Sequence, residues 1–524
     1  MRISSLCLRL LWIFGFMPVY QVSQAQHVFP TPEVTEQGVG HLTVSRQGMT
    51  MHTEGDKSAG YLRFLQNEIL KDVPIVWVDD ERNASICWKT DTSLPPEGYL
   101  LTITPTGMTV TAADEGGFVY AIQTLRQCAV VRSDEIHFAC GRIKDAPRCA
   151  WRCFMLDSGR QYQHPSVIRK YIDMASMLKM NYFHWHLTEG LGWRIEIKKY
   201  PKLTQIGSNV AQGKEQQGYC SQEEIREIIR YAADRHVTIV PEIDIPGHAE
   251  AALYAYPWLG CFGEEGIEIP QEGFTKNIFC AGKSTTLAFL KDVLDEVCSL
   301  FPSPYIHLGG DEAPKGNWDN CLDCQQQIHR NGLQDSHELQ MWLSSEMAKY
   351  LKEKGRMAIF WGDVIYEDTY PLPDNVVIQW WNYRGHKDLA VRNALKHGHP
   401  VICSPNYYTY LNFPIVPWKG YQEDRTFDFR DICVDNPADK QIARSCPLVL
   451  GMTCALWTDY GLTEDLIDRR LFPRIIALAE QMWHRGERQD WKRFYECVLQ
   501  KEGWFESMGY TFGAGLREES GKLR

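Results

Sequence analysis

The chain has little that would suit it to a membrane or to nucleic acid. Its apolar runs are short: residues 10–19 form one, and no later run approaches the roughly 20 residues that a membrane-spanning helix needs. Basic residues are outnumbered, with 55 Lys and Arg against 66 Asp and Glu and a formal net charge of −11. Nucleic acid and anionic membrane surfaces attract basic proteins, so neither is expected as a partner.

Cysteine is also scarce, because 17 in 524 residues are far too few for a disulfide-built scaffold. Cys321 and Cys324 form a close C-x-x-C pair, which fits a local disulfide, two free thiols or half of a zinc site. No matching second pair is visible in the sequence, so a disulfide or two free thiols are favoured. Several others stand inside apolar, strand-like runs and are interpreted as small core residues: Cys153, Cys280, Cys403 and Cys454.

Residues 1–25 have the pattern of a cleaved secretory signal. Arg2 and Arg9 precede the apolar run, and Ser23-Gln24-Ala25 supplies small residues for a cleavage site. The pattern predicts an exported protein, periplasmic or secreted, that is not inserted in a membrane.

Two patterns divide the remainder of the chain. Residues 26–145 alternate short strand-like runs with turns around one amphipathic helix, which predicts a small α+β domain with a scaffolding role. Residues 146–524 alternate strands with helices, and eight such strands predict a (β/α)8 barrel with a C-terminal helical segment. A doubly wound sheet is the alternative, but eight parallel units over this length fit the barrel better. The predicted barrel strands are 153–157, 181–186, 237–244, 305–309, 357–361, 376–381, 400–404 and 448–457.

The fourth predicted barrel strand runs into Gly309-Gly310-Asp311-Glu312. Glycines at a strand end permit a sharp turn or a close backbone approach. Two adjacent carboxylates can take different roles, one as a proton donor and the other as a group that binds another part of the substrate. A solvated loop would explain a bare Asp-Glu pair, and the diguanylate cyclase signature would need Phe where Ala313 stands.

The ends of the other predicted strands give this pair its context, because nearly every one carries a charged group or a large aromatic. Barrel enzymes place their chemistry at these ends, so the ring predicts one composite site. The chain also has 17 Trp, whose flat apolar face suits a sugar-binding cleft. The strand-end segments are 157–160, 184–186, 242–244 with His248, 311–312, 361–363, 380–381, 410–412 and 457–459.

Together these segments resemble glycoside hydrolase family 20, the exo-β-N-acetylhexosaminidases. The matching motifs are His307-x-Gly-Gly-Asp-Glu312, Pro241-Glu-Ile-Asp-x-Pro-Gly-His248, His184-Trp-His-Leu187, Asp157-x-x-Arg160, Trp361-Gly-Asp363 and Leu456-Trp457. The resemblance covers nearly the whole chain, since family members also carry a small α+β domain before the barrel. It implies release of terminal β-linked GlcNAc or GalNAc from a glycan, with the acetamido group of the substrate as nucleophile. It implies neither a metal nor a cofactor.

The resemblance also implies a role for each matching residue. Glu312 would be the general acid and then the base, Asp311 would accept the acetamido N–H, and Tyr410 would donate to the acetamido carbonyl oxygen. His248 would contact the catalytic acid. The residues implied to bind the sugar are the pocket walls Trp361, Trp381 and Trp457, the stacking platform Trp418, and Arg160, Asn412, Asp459 and His186. Trp380 is the alternative to Trp381, because adjacent strand residues face opposite sides.

Four positions depart from the usual family residues. Glu189 and Gly190 stand where the family usually has two aspartates, the first of which supports the histidine. Asn412 replaces an aspartate, and Asp459 replaces a glutamate. Because Asp311 and Glu312 are both present, altered specificity is predicted rather than lost activity.

Two functions of other classes stay open at this point. A non-catalytic glycan-binding barrel is disfavoured because binding alone needs no proton donor. A metal-dependent barrel hydrolase would use His184, His186, Glu242, Asp244 and His248 as ligands. A homodimer is a further hypothesis.

Overall fold

The computed structural model describes residues 27–71, 73–132, 135–210, 213, 216–266, 277–417, 426–459 and 461–517. The predicted signal segment and Trp418 lie outside these residues, so both stay predictions. Within them, no helix combines the length and the apolar character that crossing a membrane requires. The structure is of a single chain, and the homodimer also stays a prediction.

An eight-stranded sheet backed by two helices forms the first part of the fold. The elements are β1 (Val34–Ser45), β2 (Met49–Thr53), α1 (Gly60–Glu68), β3 (Ile75–Trp77), β4 (Ile86–Thr90), β5 (Tyr99–Thr104), β6 (Gly107–Ala112), α2 (Glu115–Cys128), β7 (Val130–Arg132) and β8 (Glu135–Asp145). The strand order in the sheet is β1-β8-β5-β6-β4-β2-β3, with β7 paired to β8. The second helix begins after Asp114, whose side chain accepts the backbone N–H of Gly117, and it buries Phe118, Ala121 and Ile122.

Eight parallel strands then close into a barrel, which confirms the predicted fold class. Their order around the barrel is their order along the chain, as repeated strand–helix units dictate. The barrel strands are β9 (Trp151–Asp157), β10 (Tyr182–His186), β13 (Thr238–Glu242), β14 (Tyr305–His307), β15 (Met357–Trp361), β16 (Val376–Trp380), β17 (Val401–Cys403) and β18 (Val449–Leu456). A short hairpin of β11 (Thr188–Glu189) and β12 (Gly192–Trp193) follows the second barrel strand.

Helices separate the barrel strands and cover the outside. One of them starts with the capping box expected from the sequence, in which Ser221 and Glu224 bond each other's backbone N–H. The helices are α3 (Pro165–Met177), α4 (Lys202–Gln205), α5 (Gln222–Ala233), α6 (Glu250–Ala255), α7 (Ser284–Leu300), α8 (Gly316–Asp319), α9 (Leu322–Asn331), α10 (Ser336–Glu353), α11 (Tyr383–His386), α12 (Leu389–Lys396), α13 (Asn406–Thr409), α14 (Phe429–Asp435), α15 (Pro437–Ile442), α16 (Glu464–Leu471), α17 (Arg474–Trp483), α18 (Trp491–Gln500) and α19 (Glu502–Ser507).

The two ends of the barrel interior differ in polarity. Apolar side chains fill the end where the strands begin, and Trp151 stacks there on Tyr182 with ring centroids 4.0 Å apart. At the other end the inward positions are polar, including His184, Glu242 and His307. The closed apolar end leaves the polar end as the place for a site.

Buried charges join the N-terminal sheet to the barrel. The Asp145 carboxylate, at the end of β8, receives hydrogen bonds from Lys179 Nζ (2.7 Å), Tyr99 Oη (2.7 Å) and the indole N–H of Trp483 (2.9 Å). A buried carboxylate is tolerated when it is paired and hydrogen-bonded in this way. The sheet is therefore fixed against the barrel by specific contacts.

Candidate active site

The turn after β14 explains both glycines of the central motif. Gly309 and Gly310 have φ values of +64° and +97°, which side-chain-bearing residues rarely adopt. A Cβ at Gly309 would lie 1.8 Å from Asp244 Oδ1, and one at Gly310 would lie 2.7 Å from a methyl group of Val364. Asp244 Oδ1 also accepts the N–H of Gly310 at 3.0 Å. The turn therefore needs both glycines, and it delivers Asp311 and Glu312 to the mouth of the barrel.

Asp311 and Glu312 differ in environment. Asp311 is buried, whereas the Glu312 side chain is about one-third exposed, at 36%. Glu312 has a φ of +48°, and its backbone N–H donates to Asp363 Oδ1 at 3.3 Å. Positive φ in a non-glycine residue costs free energy, and strained residues of this kind tend to cluster at functional sites. Burial, and then the charge of Asp311, raise the pKa of Glu312, which favours the protonated form that a general acid needs.

His248 links this pair to a third carboxylate. Its Nδ1 lies 2.7 Å from Glu189 Oε1, and its Nε2 lies 3.5 Å from Asp311 Oδ2 and 3.8 Å from Glu312 Oε2. Burial opposes a charge on the imidazole, but the carboxylates of Glu189 and Asp311 outweigh it and raise the pKa of His248 well above its ordinary value. The longer side chain of Glu189 thus reaches the histidine that the family's aspartate would support.

Arg160 lies among three carboxylates on the other side of Glu189. Its guanidinium nitrogens are 3.1 Å from Asp157 Oδ2, 2.6 Å from Glu189 Oε1 and 3.1 Å from Asp459 Oδ1. Asn412 Nδ2 donates to Asp459 Oδ2 at 3.4 Å. Two of the departures from the family, Asn412 and Asp459, are therefore in contact with each other, and Asp459 also contacts Arg160.

Aromatic rings line the space between Arg160 and the acid pair. The ring of Trp457 lies 4.9 Å from the Arg160 guanidinium and 5.9 Å from the ring of Tyr410. Trp381 lies nearly parallel to Tyr410, at 10° with centroids 6.4 Å apart, and Trp361 is 5.9 Å from Trp457. Burial, and then the charge of Asp311, raise the pKa of Tyr410 well above its ordinary value, so its hydroxyl stays protonated and can donate.

Hydrogen bonds fix two of these indoles in place. Trp361 donates to Glu242 Oε1 at 2.8 Å, and Trp381 donates to Asp363 Oδ2 at 2.5 Å. Trp380, the alternative to Trp381, is buried behind the strand and donates to the carbonyl oxygen of Lys387. The structure thus places Trp381, and not its neighbour, beside Tyr410.

Histidines surround Glu242 beneath this pocket. His184 Nε2, His186 Nδ1 and His307 Nδ1 lie 2.8, 2.5 and 3.1 Å from the carboxylate oxygens. His186 is fully buried with its ring 5.0 Å from Trp457, so it lies under a pocket wall, and its assignment to substrate binding stays a prediction. These residues have ligand atoms close enough to hold a metal ion. His184 Nε2 and His186 Nδ1 are hydrogen-bonded to Glu242, whereas His307 Nδ1 accepts the backbone N–H of Gly309 at 3.0 Å.

Asp363 is a site residue to which sequence reasoning gave no role. Its carboxylate holds both the backbone of Glu312 and the indole of Trp381. Burial, and then the charge of Asp311, raise its pKa to about 7. The signal was present in Trp361-Gly-Asp363, but the motif alone did not show which groups the carboxylate binds.

Comparisons with known proteins identify the family of both parts of the chain. Residues 149–486 match the catalytic domain of glycosyl hydrolase family 20, and residues 25–146 match domain 2 of that family. A solved β-N-acetylhexosaminidase from Bacteroides fragilis is 58% identical, with a TM-score of 0.91 over 95% of this chain and 99% of that one.

More distant relatives carry related names. A β-hexosaminidase of Porphyromonas gingivalis is 37% identical over 77% of this chain, which spans 53% of that relative's length. A Vibrio harveyi exo-β-N-acetylglucosaminidase, solved in complex with N-acetylglucosamine, is 26% identical with a TM-score of 0.80, covering 94% of this chain and 78% of that one.

Proposed function

Because the chain belongs to glycoside hydrolase family 20, we propose that it releases terminal β-linked N-acetylhexosamine, GlcNAc or GalNAc, from glycans. We also propose that the 2-acetamido group of the substrate is the nucleophile. The observation that carries this is the adjacency of Asp311 and Glu312 beside a pocket formed by Tyr410 and three tryptophans. An amide has both a donor and an acceptor, and this pocket offers a partner for each.

In the first step, protonated Glu312 donates its proton to the glycosidic oxygen as the bond to C1 breaks. The acetamido carbonyl oxygen attacks C1 and forms a cyclic oxazolinium ion. Asp311 accepts the N–H and stabilises the positive charge, while Tyr410 donates to the carbonyl oxygen and holds it in position for attack. The leaving alcohol carries away the proton from Glu312.

In the second step, the Glu312 carboxylate takes a proton from water, and the resulting hydroxide adds to C1 and opens the ring. The sugar leaves with its anomeric configuration retained, and Glu312 is protonated again. Charged His248, between Glu189 and the acid pair, offsets the accumulation of negative charge. Arg160 and Asp459 bind the outer hydroxyls of the terminal sugar.

The test compares aryl β-glycosides that differ only at C2. An N-acetylglucosaminide should be cleaved, and the matching glucoside, which has a hydroxyl at C2, should be cleaved at near background rate. A thiazoline mimic of the cyclic intermediate should bind more tightly than free GlcNAc. Efficient glucoside hydrolysis, or a covalent adduct trapped on a carboxylate by a 2-fluoroglucoside, would establish a protein nucleophile instead.

Activity that survives exhaustive chelation would exclude the metal-dependent alternative at this site. The mechanism above gives no step to a metal, so hydrolysis should not require one at the His and Glu cluster. A non-catalytic glycan-binding protein would bind N-acetylglucosaminides without turning them over.

We further propose that the protein is exported, on the sequence pattern of residues 1–25 alone. Protein recovered from the periplasm or medium should begin at Gln26. Recovery of the full-length chain in the cytoplasm would contradict this.

A further inference from the structure

Four cysteines from three segments of the sequence, Cys261, Cys280 and the pair Cys321 and Cys324, lie together. Cys280 Sγ lies 3.6 Å from Cys324 Sγ and 3.8 Å from Cys321 Sγ, and Cys261 Sγ lies 3.9 Å from Cys324 Sγ. All four sulfur atoms lie within 4.8 Å of one another. Cys280, Cys321 and Cys324 are buried and Cys261 is half-buried.

These separations match a tetrahedral metal site and not a disulfide. Zinc bound by four thiolates has Zn–S bonds of about 2.3 Å, so the edges of the sulfur tetrahedron measure about 3.8 Å. A disulfide requires sulfur atoms about 2.05 Å apart. None of the four cysteines is in a disulfide. We propose that Cys261, Cys280, Cys321 and Cys324 bind one structural Zn²⁺ ion.

Backbone packing brings the two halves of the cluster together. At Gly282, two residues after Cys280, an added Cβ would lie 2.1 Å from the carbonyl carbon of Asp323 and 2.3 Å from the backbone nitrogen of Cys324. The segment after Cys280 therefore runs directly against the Cys321–Cys324 turn. Only glycine permits this approach, which closes the sulfur tetrahedron.

Backbone and indole hydrogen bonds orient the segments that carry the four cysteines. The backbone N–H of Cys280 donates to the carbonyl of Leu259 at 2.9 Å, and Phe279 pairs with Gly260 in an antiparallel bridge. The buried indole of Trp318 donates to the carbonyl of Phe279 at 2.9 Å, which ties the second cysteine pair to the first. Four convergent sulfur atoms on hydrogen-bonded backbone make a preorganised site, and binding of Zn²⁺ would release the thiol protons.

The site lies where it can fix the catalytic groups. Cys261 and Cys280 belong to the segment after β13, which also carries His248, and Cys321 and Cys324 belong to the segment after β14, which carries Asp311 and Glu312. The N–H of Phe279 donates to the carbonyl of Pro246 at 3.0 Å, two residues from His248. The ion would thus hold two active-site loops together without touching the substrate.

Metal analysis of the mature chain, purified without chelators and with its affinity tag removed, tests this directly. We expect about one zinc per chain, and Cys321→Ser with Cys324→Ser should remove it. Cys446→Ser changes a half-buried thiol outside the cluster and should leave the zinc content unchanged. Glu312→Gln should also retain zinc, so the result is independent of catalysis.

Cobalt substitution in the wild-type chain keeps the test valid if the serine variant does not fold. Co²⁺ should give the absorption of a tetrahedral cobalt tetrathiolate, and Zn²⁺ should displace it. Gly282→Ala should weaken Zn²⁺ binding, whereas Gly316→Ala, where nothing lies within 4 Å of the added Cβ, should not.

Three results would overturn the assignment. They are a chain without zinc even after anaerobic reconstitution, disulfide-linked peptides among these four cysteines in freshly purified protein, and iron in place of zinc. A fourth result, zinc retained in the double serine variant, would place the ion elsewhere and would refute the assignment too.

Discussion

Glu189 offers the sharpest test of the site geometry, through the substitution Glu189→Asp. This change restores the residue usual in the family, and judged by sequence alone it should be harmless. In the structure, Glu189 Oε1 reaches His248 Nδ1 at 2.7 Å and Arg160 at 2.6 Å. Aspartate is shorter by one carbon–carbon bond, about 1.5 Å. Its carboxylate would then stand too far from at least one partner for a hydrogen bond.

The backbone offers little room to compensate. Glu189 belongs to the β11–β12 hairpin, and an added Cβ at Gly159 would lie 2.6 Å from the Cβ of Glu189. Losing one hydrogen bond between charged groups costs about 1.5–3 kcal/mol. If the whole loss is added to the activation free energy, kcat/KM falls roughly 10- to 150-fold, at about 1.4 kcal/mol per factor of ten.

The assay is kcat/KM on an aryl N-acetylglucosaminide, measured across pH with thermal unfolding in parallel. Glu189→Gln keeps the length and removes the charge, so the pKa of His248 should fall, as a histidine NMR titration would report. Glu227→Asp shortens a carboxylate in an exposed pair with Arg169 and should change neither quantity. If Glu189→Asp has the kcat/KM of the wild type, the length of this side chain does not position His248.

Other substitutions test the remaining roles. Glu312→Gln should lower turnover by roughly 100- to 10,000-fold for alkyl or sugar leaving groups, but much less for nitrophenyl ones, which depart without an acid; equal losses on both would assign Glu312 another role. Asp311→Asn removes a charge that raises the pKa of Glu312, so Glu312 should lose its proton at lower pH and the alkaline limb of kcat/KM should shift to lower pH; an unmoved limb in a variant that still turns over would contradict this coupling. Asp459→Glu and Asn412→Asp should change the ranking of GlcNAc, GalNAc and 6-sulfo-GlcNAc substrates without loss of chemistry, and an unchanged ranking would mean that these positions do not set specificity.

Contiguous patterns in the sequence predicted the fold class and the position of the central turn. The barrel followed from strand–helix alternation. The Gly309–Glu312 segment placed two carboxylates at a strand end, because the turn glycines and the carboxylates are adjacent in the chain. The catalytic roles of these carboxylates stay predictions. The contact between Glu189 and His248 could not be predicted, because it depends on the length of one side chain and on the close approach of Gly159. The sequence could not decide whether Trp380 or Trp381 lines the pocket, because the choice depends on where β16 ends, and it ends at Trp380.

The cysteine cluster, in contrast to the barrel, could not be predicted from the sequence. Cys280 was interpreted as a core residue, and Cys321 and Cys324 were left without a second pair. In the structure Cys280 lies beside both of them, and Cys261 completes the group although it is separated from Cys280 by most of a loop. No regular spacing in the sequence predicts these four cysteines as a group, because backbone packing at Gly282 brings them together in three dimensions.

Arg160, surrounded by Asp157, Glu189 and Asp459, has a consequence for the order in which glycans are degraded. In the proposed assignment this cluster closes the far side of the pocket, so only the tip of a glycan chain can enter. A further sugar that caps the outer hydroxyls of that tip would collide with the cluster and conceal every linkage behind it. The protein would therefore work after hydrolases that remove such caps, and each N-acetylhexosamine it releases would expose the next sugar to an enzyme of different specificity.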